Sequence, residues 1–300
     1  MKRLSLIAAA VLLSNSGMAQ NALRIPPALT GPVYNLNMAY GTTQFYPGAA
    51  TVTAGYNGNI LGPTLIMTAG EFVTLNVTNN LGEDATTHWH GMHVSSQDDG
   101  GPHTVIPAGT TWSPDFTVLD TASTMWYHPH LHGNTHRQVN AGLSGMIFIR
   151  DDVEAAAGLP MTYGVDEFPL IIQDKGFAGG NSLALANLGQ VTMVNATLDP
   201  FLNAPAQMVR FRILDGASER AFYLGFSDNR NFYIVGADGG LLEAPVALNR
   251  ALMMPAERLD IVVDFSSDNG STLQLLTYAS EMPAGPPGSA TGPGGNNPLN

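Results

Sequence analysis

Five of the chain's eight histidines fall in two short stretches, "HWHG" at residues 88–91 and "WYHPHLHG" at residues 126–133, and in each they alternate with other residues. Side chains two apart on a strand share a face, roughly 7 Å apart, so His88 and His90 can enter one space while Trp89 packs elsewhere. His128 and His130 repeat the arrangement, and Pro129 between them marks a strand end or an edge. Two such pairs on adjacent strands converge four neutral imidazoles, the natural nitrogen ligands of copper or zinc. A lone His-x-His pair is ordinarily two half-buried or surface histidines; two pairs, each flanked by aromatic residues and leading to a glycine, point to a metal. A closed zinc site usually draws on cysteine or on wider spacing, and the chain has neither a cysteine nor a His-Glu-x-x-His segment. A cupin-like iron or manganese site wants a glutamate soon after the first pair, but none follows until Glu154.

The other histidines carry less. His93, His103 and His136 lack paired spacing and read as surface or supporting residues. His132 continues the alternation, yet His128 and His130 already match the number in the first pair. Between the two stretches, "SSQDDGGPHTVIPAG" places Asp98 and Asp99 in a glycine-rich loop. A carboxylate beside a metal site can relay protons. By residue type alone, Asp-Asp-Gly-Gly is an ordinary turn.

The elements that must position these side chains are strands. From Arg24 onward, short runs rich in Val, Ile, Thr and aromatics are separated by Gly, Pro and Asn, the pattern of all-β sandwiches or barrels. In "EFVTLNVTNN", Val73, Leu75 and Val77 take one face. "GLSGMIFIRDD" is a second strand, and "DDVEAAAGLP" a linker of one or two helical turns capped by Asp152. Beyond it "MVRFRIL", "NFYIVGADG", "LDIVVDF" and "STLQLLTY" form a second set, with Arg210 and Arg212 facing solvent or a neighbouring domain. Two β domains follow, residues 21–155 and 165–282, each a Greek-key sandwich or barrel. Residues 283–300, rich in Gly and Pro, read as an unstructured linker or a truncated end.

A formal charge of -12 and a pI near 4.8, with no cluster of Lys or Arg, exclude a nucleic-acid footprint. Residues 1–19 have the form of a secretory signal peptide: Lys2 and Arg3, an apolar run from Leu4 to Leu13, and Gly17 and Ala19 before a cut at Gln20. That run is too short to span a bilayer. Export without disulfides suggests a bacterial periplasm or the cell exterior.

With "DGGPHTVIPAG" between them and "RQVNAGLSGMIFI" after, the two histidine stretches resemble the first two copper motifs of the multicopper oxidases, nearest the bacterial laccase-like and periplasmic cuprous oxidase branch. The resemblance covers nearly the whole mature chain and implies two cupredoxin-like domains, the second without copper. It implies a trinuclear copper cluster that reduces O2 to water with electrons from a reducing substrate, a phenol, an aromatic amine or Cu(I). It makes His88 a ligand of the type 2 copper, His90, His128 and His130 ligands of the type 3 pair, and Asp99 the catalytic carboxylate that assists proton delivery. His132 resembles a non-ligand histidine of the same motif. The family's remaining four cluster histidines and its cysteine-ligated type 1 copper site belong to a third cupredoxin domain, and this chain has neither segment. The expectation is an amino-terminal portion of an oxidase, inactive alone; a genuine two-domain product is the other option. The competing functions are a copper-binding or copper-buffering protein without catalysis and a copper-free cell-division protein of the same fold.

Overall fold

The computed structural model describes residues 2–6 and 20–293. Four sheets make two sandwiches. In the first, a five-stranded sheet runs Ala28–Thr30, Thr64–Thr68, Gly145–Arg150, Ser123–His128, His88–His90. It faces a second sheet built on Asp115–Thr117, Phe72–Asn80, Val33–Thr43 and Thr51–Tyr56. Period-two burial closes the core: Val73, Leu75 and Val77 are fully buried and pack with Leu36, Met38, Leu65 and Ile147. The histidine-bearing strand His88–His90 is an edge strand, hydrogen-bonded on one side only.

The second sandwich places Glu167–Ala178, Met208–Asp215, Arg258–Asp264, Phe232–Ala237 and Gly240–Leu248 in one sheet. The opposing sheet orders Asn21–Ala22, Pro200–Ala204, Lys2–Leu6, Thr272–Thr277, Phe222–Phe226 and Ala251–Met253. Phe168, Phe211, Phe222, Phe226 and Phe265 fill its core. Asn21–Leu23, grouped by sequence with the first domain, belongs to this second unit: Asn21 and Ala22 pair with Pro200 and Phe201, and Leu23 joins the second core. Of the residues expected to form a signal peptide, Lys2–Leu6 lies between Pro200–Ala204 and Thr272–Thr277, while residues 7–19 lie outside the described residues. No helix among the described residues is long and apolar enough to cross a membrane.

Two short α-helices lie among the described residues. The linker helix Asp152–Ala156 is capped by Asp151, whose side chain accepts from the Glu154 amide, one residue earlier than the sequence suggests. The helix Thr135–Ala141 has no side-chain cap. Residues 283–293, read as unstructured, fold back through turns: the Pro287 carbonyl accepts from the Ala221 amide, and Ser289 is fully buried. Residues 294–300 lie outside the described residues.

Of the two destinations expected for Arg210 and Arg212, solvent or a neighbouring domain, the structure takes the second. Alternation points them away from the second core, and that face packs on the first sandwich, where both are completely buried. Glu154 takes hydrogen bonds from Arg150, Arg210 (2.6 Å) and Arg212, while Glu167 takes them from Arg150 and Arg212 (2.8 Å). Asp260 closes the cluster on Arg210 at 2.6 Å, and the Thr124 hydroxyl donates to Asp260 at 2.5 Å. Three guanidiniums therefore face three carboxylates. Burial opposes ionising Glu167 and Asp260, but the arginines outweigh it and hold both carboxyls below their usual range. A small apolar cluster, Ile60, Leu61, Trp126, Met146, Phe148, Ile171 and Leu214, joins the two sandwiches beside these charges.

Candidate metal centre

His88–His90 and Ser123–His128 run antiparallel, with His88 opposite His128, Trp89 opposite Tyr127 and His90 opposite Trp126. Trp89 and Tyr127 turn inward and are fully buried, which sends the flanking histidines to the other face. Pro129 ends the second strand, as its missing N–H requires, and His130 follows just beyond, its amide donating to the Thr86 hydroxyl at 2.5 Å. The four rings cluster: His88 lies 5.6, 5.5 and 5.3 Å, centroid to centroid, from His90, His128 and His130. Ligand nitrogens of His88, His90 and His128 all fall within 4.8 Å of one another.

Two glycines let the surrounding loops approach. Gly91 turns the chain with φ +95°, and a Cβ there would sit 2.5 Å from the Met125 sulfur and 2.7 Å from Arg258 Nη2. Gly100 has φ +70°, and a Cβ there would overlap the Thr87 carbonyl at 1.7 Å. This close approach brings the Asp98–Asp99 loop under His88.

Carbonyl oxygens fix which nitrogens face the site. His88 Nδ1 donates to the Asp99 carbonyl at 2.9 Å and lies 3.2 Å from the Asp99 carboxylate. His128 Nδ1 donates to the Pro129 carbonyl at 2.8 Å. Since a carbonyl can only accept, both Nε2 atoms keep a lone pair. His90 Nδ1 and His128 Nε2 are 3.2 Å apart. Two nitrogens about 2.0 Å from one ion in a tetrahedral set stand about 3.3 Å apart, so this pair fits a shared metal. Burial, then Arg258 and the neighbouring histidines, push His90 down to about 4. Burial drives His128 well below the usual histidine range, against the Pro129 carbonyl. Both imidazoles are therefore neutral at pH 7, the form that binds a metal.

Asp99 borders His88, whereas the Asp98 carboxylate turns away to accept from Ser95 at 2.6 Å. His103 and His132 are exposed. His93, also exposed, pairs through Nδ1 with buried Asp120 at 2.5 Å, and that carboxylate raises its pKa. His136 lines the cavity beside the clustered histidines but is not one of the three whose ligand atoms converge. Sequence reasoning did not single out Trp126 or Arg258. Trp126 stacks on His128 with centroids 3.9 Å apart. Arg258 reaches from the second sandwich to the Thr124 carbonyl at 3.0 Å, beneath His90. Trp126 stands two residues before His128 on the same strand, a period-two spacing that could have found it, whereas Arg258 has none, because it acts across a contact that exists only after folding.

A family profile described as "Multicopper oxidase" matches residues 37–154. The chain is 37% identical over 275 residues to the multicopper oxidase mco of Staphylococcus aureus, covering 87% of this chain and 61% of that protein. It is 32% identical over 282 residues to the cell division protein FtsP of Escherichia coli K12, covering 91% of this chain and 60% of that protein. It superposes on the crystal structure of a multi-copper oxidase from Pediococcus acidilactici with a TM-score of 0.81 and 32% identity, covering 92% of this chain and 64% of that one. The two sandwiches are thus cupredoxin-like, and the chain spans about three-fifths of the length of the relatives it matches.

Proposed function

The chain belongs to the multicopper oxidase family, and on that premise we propose that it supplies the amino-terminal half of a trinuclear copper centre in an exported oxidase. The whole enzyme couples one-electron oxidation of a phenol, an aromatic amine or Cu(I) to the four-electron reduction of O2 to water. The observation that carries this reading is the convergence of His88, His90 and His128, with ligand nitrogens within 4.8 Å and His130 beside them. Copper, when bound, supplies the one-electron redox steps and the site for O2.

The chain's residues do the rest. His88 holds the type 2 copper, and His90, His128 and His130 hold the type 3 pair. The Asp99 backbone and carboxylate orient His88, and the carboxylate, close to the site, can pass a proton toward reduced oxygen. Trp126, stacked on His128, fixes that ring and keeps water from its face. The other four imidazoles and the cysteine-ligated type 1 copper come from a third cupredoxin domain, for this chain contains no cysteine. Without that thiolate electrons have no usual entry, so the chain alone binds copper but does not turn over.

The test is to load the purified chain with copper and follow both copper content and O2 consumption with a phenolic or cuprous substrate. Bound copper without steady turnover is expected. Sustained O2 consumption by this chain would overturn the half-site reading, and failure to bind copper would favour a copper-free role like that named for the FtsP relatives.

A further inference from the structure

The first core runs out at one end of its strands. Tyr34, Leu36 and Met38 alternate inward along Val33–Thr43 and are buried, as are Ala54 and Tyr56 along Thr51–Tyr56. The same period-two faces continue to Tyr40 and Val52, which stand 42% and 63% exposed. Here the strand Ser182–Ala184 of the second sandwich, paired with Glu167–Ala178, comes alongside without closing the gap. What remains is a cleft of about 450 Å³ lined by Tyr40, Val52, Arg137, Asn140, Leu183 and Leu185, the last 59% exposed. It shares no lining residue with the histidine cavity: on the helix Thr135–Ala141, Thr135, His136 and Val139 border that cavity, while Arg137, Asn140 and Ala141 border the cleft.

The walls are tied to each other. The Thr51 hydroxyl donates to the Asn181 carbonyl at 2.6 Å, Asn181 Nδ2 to the Ala49 carbonyl at 3.0 Å, and Asn140 Nδ2 to the Ala184 carbonyl at 3.2 Å. The cleft is therefore preformed, and its volume falls in the range of small-molecule sites, about 300–1,000 Å³. Its one ionised lining residue, Arg137, is already matched: Glu83 accepts from Nη1 at 2.9 Å and from Nη2 at 2.7 Å, and takes the Tyr40 hydroxyl proton at 2.7 Å. A charged ligand finds no free counter-ion there. Asn140 spends one of its two amide protons on Ala184, which leaves the other for an acceptor.

We propose that this cleft binds an uncharged, flat ligand of one or two fused rings carrying a carbonyl oxygen. The rings cover Val52, Leu183 and Leu185 and take their apolar surface out of water. The Tyr40 ring supplies an aromatic contact, and the carbonyl accepts from Asn140. The inference is independent of the copper reading, since the two sites share no residue.

The experiment is a calorimetric titration of the purified, metal-free chain with coumarin, an uncharged bicyclic ring with one carbonyl, and separately with coumarin-3-carboxylate. Val52→Asp and Leu185→Asp each place a charge on the cleft wall, and both native side chains are exposed, so the fold does not rest on them. Leu119→Asp, at a residue 71% exposed and outside the cleft, is the control. The expected result is a coumarin Kd of about 0.1 mM or tighter for the parent and the control, weakened about tenfold or more in both cleft variants. The carboxylate should bind the parent about tenfold or more weakly than coumarin. A parent that does not bind coumarin, cleft variants that bind it as the parent does, or a carboxylate that binds equally well each overturns the proposal.

Discussion

A single backbone oxygen decides which nitrogen of His128 serves the site, and another does the same for His88. Such outer contacts tune metal affinity by about 10–100-fold. Asp99→Asn keeps the backbone contact but removes the carboxylate, so copper affinity should fall about tenfold, at the low end of that range. A chelator-competition titration measures it, and an unchanged affinity would remove the Asp99 side chain from the centre. At this scale the alternating histidines were legible because a strand's period is two and a proline showed where the second strand stops. That stop also explains His132: the alternation continues in sequence, but the strand ends at His128, and His132 is exposed. The choice between Asp98 and Asp99 was not legible from residue type, since it depends on how Gly100 seats its loop against Thr87. Nor was His136, whose relation to the cavity depends on a turn with no distinctive spacing.

Among the elements, the strand Glu167–Ala178 and the helix Thr135–Ala141 meet through one buried cation. Lys175 Nζ donates to the Asn140 carbonyl at 2.9 Å, and burial pushes Lys175 down to about 8, with Asp174 opposing. The folded pKa lies below the unfolded one, so the unfolded chain holds more protons between about pH 8 and 10.5. Stability from this group therefore rises as pH climbs through that window, and the cost of charging it is fully present below it. From pH 7 to 9.5 the parent should gain about 2 kcal/mol relative to Lys175→Met, read from urea unfolding at the two pH values. Parallel stability profiles would mean the ammonium is not desolvated as described. Strands such as Phe72–Asn80 and Met208–Asp215 were readable from their two-residue period. The helix Thr135–Ala141 was not, since it is short and starts at Asn134 without a side-chain cap. The linker helix was readable to within a residue because an acidic cap was present.

For the whole molecule, the two sandwiches are joined by three arginines and three carboxylates, all buried except Arg150, whose side chain stays partly exposed. Removing one charge leaves its partners uncompensated, so Glu154→Gln should destabilise the chain by about 3–5 kcal/mol, measured by urea unfolding. A loss below about 1 kcal/mol would show that the cluster does not hold the sandwiches together. The alternation of Arg210 and Arg212, and a neighbouring domain as one destination, were legible, but their ion pairs were not, because their carboxylate partners come from a linker helix and from distant strands. Composition and spacing group Asn21–Leu23 with the strands that follow, whereas in the structure Asn21 and Ala22 pair with Pro200 and Phe201, a pairing that local pattern does not encode. The arginine–carboxylate cluster also gives the union of the two halves an unusual response to heat. Hydration of charged groups becomes less favourable as temperature rises, so the penalty for hiding these six charges shrinks on warming. A version of this interface rebuilt from apolar residues should hold its largest advantage in the cold and lose ground to the native chain as it warms.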